Sequence, residues 1–283
     1  MLMTRQPYAR QFYPGDSRAQ IEHLLRSCKV PKEPAKAVAG IVPHAGWIFS
    51  GAVAAKVFKC ISVKTGPDTF ILLGAVHTWR PRGNSIYAHG AWSTPLGDIK
   101  IDEEVSETLL DVLAGDIIDD PEAHEGEHSL EVQLPFIKYL CPEAKIVPIA
   151  IPPDENAHVT GRKIGEAVSG MGKNIVVIGT TDLTHYGDSY GFTPYGYGEE
   201  AKNRMKESDS RIIGLALQMR SAEIRKEAER SHNACGSGAL SATVAAAKAM
   251  GAEKGYLLEY TTSHDVMPEG EFEMAVGYAG IIF

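Results

Sequence analysis

The sequence predicts an α/β fold: a single three-layer α/β/α domain with a central mixed sheet. Three observations carry this. First, Ala37–Val42, Asp68–His77, Lys145–Ile151 and Asn174–Thr181 are runs of small and β-branched apolar residues, the composition of strands buried on both faces. Second, helical stretches stand between these runs, the alternation that places helices on both sides of a sheet. Third, the chain holds 28 glycines, which gather at the ends of the apolar runs, where tight turns are needed.

The elements follow in order. Residues 1–16 form an irregular arm anchored by Tyr8, Phe12 and Tyr13. Ser17 caps a helix to about Lys29, with Ile21, Leu24 and Leu25 on one side. After the first core strand, Pro43 ends the ladder because it has no N–H to donate. Ala45-Gly46 turns the chain into an alanine-rich helix, Trp47–Ile61. Ser85–His89 and Gly97–Ile101 are short strands that suit an edge hairpin, and Asp102 caps a helix to Leu113. Glu127–Leu140 has a helical period that Pro135 should kink or restart. A helix spans Asn156–Ser169, and Asp188–Gly198 is an aromatic, glycine-rich loop. Glu199–Arg230 is helical and charged, Cys235–Met250 is a helix, and Tyr256–Ser263 and Glu273–Phe283 close the chain as strands. With no internal repeat or linker, residues 1–283 are expected to form one domain.

Composition narrows the function. Hydrophobic residues make up 44% and charged residues 23%, as in ordinary globular proteins. The net charge is −8 and no Lys/Arg cluster occurs, which argues against nucleic acid as a partner. No apolar run reaches the roughly 18 residues of a membrane span. The start, MLMTRQPYARQFYPG, lacks the apolar core of a signal peptide. Cys28, Cys60, Cys141 and Cys235 lie far apart without CxxC spacing, as expected in a reducing cytoplasm.

Three core strands run into a histidine: His44, His77 and His185. Strand ends of one sheet share an edge, so these side chains are expected to meet where open α/β sheets place their chemistry. Cys235 opens a helix, and a helix N-terminus favours thiolate. Two imidazoles and a thiolate suit zinc, iron or copper. Asp182, three residues before His185, either orients an imidazole or caps its own turn. His185 is either a ligand or a general base, since imidazole titrates near neutral pH. Glu127 and His128 enter a helix and are candidates to face the cleft, with Trp79 and Tyr186 as further substrate contacts. The loop Trp79–Asn84 and the segment Tyr190–Tyr197 are expected to form the rim. His89, His124, His158 and His232 read as surface residues, and His264-Asp265 is a spare candidate.

PHAGWIFSG, LLGAVH, EHSLEVQLPF, IGTTDLTHYG and NACGSGA occur here in the order found in the Memo-like family, which the chain resembles along almost its whole length. RQFYPGD resembles that family's opening. The resemblance implies the fold of the class III extradiol dioxygenases. It implies His44, His77 and Cys235 as metal ligands, with His185 in the place of the dioxygenases' catalytic base and Asp182 beside it. It also implies the B component of a three-part system with an AMMECR-like protein and a radical SAM protein. Two departures stand out. The family's second histidine usually follows Pro-Ser or Pro-Asn, whereas here Ala75-Val76 precedes His77. The dioxygenases hold iron with two His and a carboxylate, whereas here Cys235 takes the carboxylate's place. A soft thiolate changes metal preference, so ring cleavage does not follow from the fold.

Three functions are compatible with these residues. The first is a redox enzyme dependent on iron or copper. The second is a non-catalytic module that keeps the cleft to bind a peptide or partner protein. The third is a metal-independent hydrolase with Cys235 as nucleophile and His185 as base.

Overall fold

The four apolar runs do form the core of one sheet, with alternate residues buried on opposite sides. The structure, a computed structural model, describes residues 4–78 and 83–283. Its elements are β1 (Thr4–Arg5), α1 (Ser17–Leu25), β2 (Ala39–Val42), α2 (Trp47–Lys64), β3 (Thr69–Gly74), β4 (Asn84–Ile86), β5 (Ala91–Trp92) and β6 (Ile99–Lys100). Then follow α3 (Glu103–Val112), β7 (Ile117–Asp119), α4 (Leu134–Leu140), β8 (Lys145–Ala150), α5 (Ala157–Ser169), β9 (Ile175–Thr180) and β10 (His185–Tyr186). The chain ends with α6 (Gly198–Leu217), α7 (Ser221–Ser231), α8 (Ser237–Ala249), β11 (Tyr256–Thr262), α9 (Ser263–Val266) and β12 (Ala275–Ile282).

The large sheet has the order β10-β12-β2-β9-β3-β8-β4-β7, with β11 paired to β12. It is mixed: β2, β9, β3 and β8 are mutually parallel, while β12 runs antiparallel to β2. Phe70 and Leu72 pack with Phe58 and Ile61 of α2 and Phe136 of α4 on one face. Ile71 and Leu73 pack with Ile164 of α5 and Ala242 of α8 on the other. Each such fully buried side chain contributes roughly 2 kcal/mol, so the helical layers are fixed to both faces. On the second face α8 lies close against α5, because a Cβ at Gly161 would sit 2.0 Å from the Ala242 carbonyl oxygen.

Register aligns the ends that matter. Val42 pairs with Thr180, and β3 is in parallel register with β9, so the segments following β2, β3 and β9 leave the sheet at one edge. The antiparallel β12 begins at that edge, and β11 ends there.

Several boundaries differ from the sequence reading. Ser85–His89 and Gly97–Ile101 do not pair: β4 joins the large sheet, whereas β6 pairs with β5 in a separate three-stranded sheet completed by β1. Asp16, not Ser17, caps α1, its carboxylate accepting from the Ala19 N–H at 3.2 Å. The stretch from Glu127 is a turn and a short 3-10 segment; α4 begins only at Leu134, so Pro135 sits in a first turn where it costs no hydrogen bond. Met219, at φ 58, breaks the charged helix into α6 and α7. Cys235 lies two residues before α8, outside the helix.

His124, read as a surface residue, is fully buried. The 3-10 turn Pro121–His124, capped by Asp120, tucks its ring edge-on to Tyr87 and Trp92, and its Nε2–H donates to the Ser85 carbonyl at 3.1 Å. Burial, with Arg5 adding to it, lowers its pKa to about 4. The unfolded chain therefore takes up this proton first, near pH 6.5, and stability falls from there toward pH 4 by about 3 kcal/mol in total. His124→Gln keeps the donor and is expected to flatten this part of the slope. Urea unfolding at pH 7.5 and 4.5 checks it; an unchanged slope would remove His124 as its source.

Candidate metal centre

The PHAG turn is held from several sides. The His44 N–H donates to Asp182 Oδ1 at 2.8 Å, and the Ala45 N–H reaches the same carboxylate. Gln133 Nε2 donates to the Pro43 carbonyl at 2.9 Å, and Trp47 Nε1 donates to the Val132 carbonyl at 3.0 Å. His44 is thereby fixed at the sheet edge with 2% exposure. Burial and the neighbouring imidazoles of His77 and His128 hold its pKa well below the usual range, so the ring is neutral.

His77, just past β3, is oriented by Glu127. The His77 N–H donates to Glu127 Oε2 at 2.7 Å, and its Nδ1–H donates to Oε1 at 3.1 Å. That leaves Nε2 as the nitrogen available to a ligand. Burial opposes the His77 cation, but the hydrogen bond and charge of Glu127 outweigh it and raise the pKa. Burial likewise penalises the Glu127 carboxylate. The His77 bond and charge, with the N–H groups of His77 and Ser129, nevertheless bring its pKa down to about 2.

Cys235 reaches the same point from the segment before α8. Its Sγ lies 3.1 Å from His44 Nε2, and its N–H donates to the Asp182 carbonyl at 3.2 Å. Glycine at the next position permits this approach, because a Cβ at Gly236 would lie 2.3 Å from the Thr180 carbonyl oxygen. The expected helix-terminus effect on the thiol is absent. Burial, then the Asp182 carboxylate, push its pKa well above the ordinary value, so a metal would have to displace the proton.

One ligand atom each of His44, His77 and Cys235 lies within 4.8 Å of the others. A cleft of about 600 Å³ is lined by His44, His77, His128, Asp182 and His185, among others. His185 Nδ1–H donates to the Leu183 carbonyl at 3.1 Å, and among the described residues Nε2 has no hydrogen-bond partner. Burial lowers its pKa, so this imidazole is a neutral acceptor. Burial raises the Asp182 pKa to about 7, against the pull of two backbone N–H groups. Asp182 thus ties the histidine turn to the cysteine segment and titrates in the neutral range.

A model of the Memo family, described as Memo-like protein, matches residues 5–282. The chain belongs to the Memo-like family. It is 38% identical over 295 residues to a MEMO1 family protein of Thermococcus onnurineus, covering 99% of both chains. A MEMO1 family protein of Pyrococcus abyssi is 37% identical over 291 residues, again with 99% of each covered. The crystal structure of an uncharacterized Escherichia coli K12 protein superposes with a TM-score of 0.53 and 12% identity, over 86% of this chain and 99% of that one. That likeness concerns the fold alone.

The Memo-like site differs in detail from the sequence expectation. His44, His77 and Cys235 come together, and Asp182 touches His44 as anticipated. Glu127, expected to touch substrate, is 3% exposed, and its oxygens are taken by His77, His128 and Ser129. Tyr186 is fully buried: its hydroxyl donates to the Gly196 carbonyl and accepts from the Tyr195 N–H, which pins the aromatic loop below the rim. His128 does line the cleft, stacked between Phe12 at 4.5 Å and His77 at 4.8 Å. Tyr190 lines it too, whereas Tyr195 and Tyr197 are exposed outside it. Trp79 lies outside the described residues, as does most of the expected rim loop; Asn84 borders a different hollow, with Asp116 and Lys163. Of the spare pair, His264 lines the cleft, while Asp265 is held by Lys202 and Lys206. Phe12 and the stretch Glu269–Met274 were missed as cleft residues. Their signal, an arm aromatic and a charged loop before the last strand, has no chemical pattern until the fold brings them over the site.

Proposed function

We propose that this Memo-like protein is a metal-dependent oxidoreductase, with iron or copper held by His44, His77 and Cys235. The observation that carries the reading is the convergence of these three donors within 4.8 Å, with His44 and His77 lining a cleft while Cys235 is not among its lining residues. The donor set fits such a metal, since two imidazoles and a thiolate suit iron, copper or zinc better than magnesium or calcium. His77 is already oriented by Glu127, as metal-bound histidines usually are. Three protein donors leave a position for substrate, as catalytic sites require.

A bound iron or copper ion would supply one-electron redox chemistry and Lewis acidity. The chain's own residues do the rest. His185 takes a proton from substrate at Nε2, because its other nitrogen is bonded to the Leu183 carbonyl. Asp182 fixes the ligand segments and holds or releases a proton near neutral pH. His128, flat against His77 and Phe12, walls the cleft on the side of the arm. A reducing cytoplasm suits a working thiol and the four unpaired cysteines. The AMMECR-like and radical SAM partners rest on the family resemblance, and co-purification of the three chains tests them.

Anaerobic titration with Fe(II), Cu(I) and Zn(II) tests the centre. One ion per chain is expected, and His185→Ala should keep its affinity within a few-fold, since that residue is a base in this reading. Loss of binding in His185→Ala alone would make it a ligand and overturn the assignment.

A further inference from the structure

We propose that the cleft selects small organic cations, molecules carrying an ammonium or guanidinium group, and discriminates against anions. This rests on the reading above that the cleft is a substrate site, and it names the substrate's chemistry. The cleft, about 600 Å³, falls in the range of small-molecule sites. Among the described residues, its lining includes four carboxylates, Asp182, Glu269, Glu271 and Glu273, and no lysine or arginine. The three glutamates are exposed, and among the described residues no Lys or Arg is paired with them. Lys202 and Lys206, which hold the segment carrying His264, are both tied to Asp265 at 3.0 and 2.8 Å.

The walls suit a cation as well as the rim does. Phe12, Phe49, Tyr190 and Tyr278 present aromatic rings to the cleft, and ring faces attract cations, most strongly when water is excluded. Met267 and Met274 add adaptable thioethers beside them. His44 lines the cleft at 2% exposure, and among the described residues its buried Nδ1 has no hydrogen-bond partner. An anion would meet the three exposed glutamates and, among the described residues, no lysine or arginine of the lining. A metal ion held by His44, His77 and Cys235 would offset part of this repulsion, so the discrimination is expected to be larger after chelation.

Benzyltrimethylammonium and phenylacetate, similar in bulk and opposite in charge, test this by calorimetry on the full chain, as purified and after chelation. The cation is expected to bind at least about tenfold more tightly and to weaken as salt rises. The triple variant Glu269→Gln, Glu271→Gln, Glu273→Gln should lose about tenfold in cation affinity with metal uptake unchanged. Those positions are exposed, so an unchanged thermal midpoint confirms that the variant folds. Equal or tighter binding of phenylacetate would overturn the proposal, as would unchanged cation affinity in the triple variant. Slower metal uptake with intact cation affinity would assign the glutamates to metal entry instead. A chain that takes no metal yet discriminates between the two probes would remove the metal centre and leave this selectivity standing.

Discussion

Cys235→Ser and His44→Ala are each expected to weaken binding of iron, copper or zinc by more than about 100-fold. Removing a partner that only orients a ligand typically costs 10–100-fold, and losing the ligand itself should cost more. Serine is nearly isosteric with cysteine, so Cys235→Ser leaves the packing at the Asp182 carbonyl intact and changes only the donor. A hydroxyl is a hard, weakly acidic donor, so Cu(I) should suffer most. Glu127→Gln supplies the intermediate case. It keeps the shape but weakens the acceptor for His77 Nδ1–H, and a loss of 10–100-fold is expected. Acid should act in the same direction, because binding requires neutral imidazole and thiolate. Affinity is thus expected to fall as pH drops, with proton release from the raised Cys235 thiol on each binding event. Competition titrations against a chelator of known affinity measure these changes. Unchanged affinity in either ligand variant would sink the three-donor centre.

Glu131→Ala is expected to destabilise the fold by about 3–5 kcal/mol, the cost of leaving a buried charge without its partner. Glu131 is 1% exposed and serves as the hub of the N-terminal arm. Its carboxylate accepts from the Tyr8 N–H at 2.9 Å, the Ala9 N–H at 2.8 Å, the Tyr13 hydroxyl at 2.9 Å and Arg5 at 2.7 Å. Arg5 lies over the Trp92 ring at 4.1 Å and also donates to the carbonyls of His124 and Glu127. Arg5→Ala should therefore cost a similar amount, and the double variant less than the sum, since both act through one network. The arm also carries Phe12, whose carbonyl holds the Trp47 N–H at 2.8 Å and whose ring stacks on His128. Loosening it should disturb the cleft wall as well as the fold. Urea unfolding reads the effect, and a loss below 1 kcal/mol would show that the arm is not fastened through this pair.

The core strands and the histidines beyond them were legible because their signals are local. A run such as FILLG permits little but a buried strand, and Pro43 or Gly74 marks its end. The meeting of His44 and His77 followed from one topological fact, that strand ends of a sheet share an edge, whereas Cys235, which precedes α8, was expected beside them from the resemblance to the Memo-like family. What escaped depends on contacts distant in sequence. Glu131 gives no sign in the sequence that an arm more than a hundred residues away will close on it. Glu127 stands in a motif, yet its role as the acceptor for His77 appears only once β3 and the turn before α4 are neighbours. His124 looked exposed because its acidic surroundings are polar, but Asp120 caps the turn that buries it. The thiol of Cys235 went the other way from expectation because α8 starts two residues later, so burial and Asp182 decide its proton affinity.

X-ray absorption at the edge of the bound metal tests the centre most directly. After anaerobic loading with one equivalent of Fe(II) or Cu(I), a site built from His44, His77 and Cys235 predicts one sulfur donor at about 2.3 Å with two imidazole nitrogens near 2.0 Å, by analogy with zinc–thiolate and zinc–imidazole bonds. The sulfur contribution should vanish in Cys235→Ser. A shell of nitrogen and oxygen only in the unaltered chain, or a sulfur signal that survives that substitution, would contradict the site.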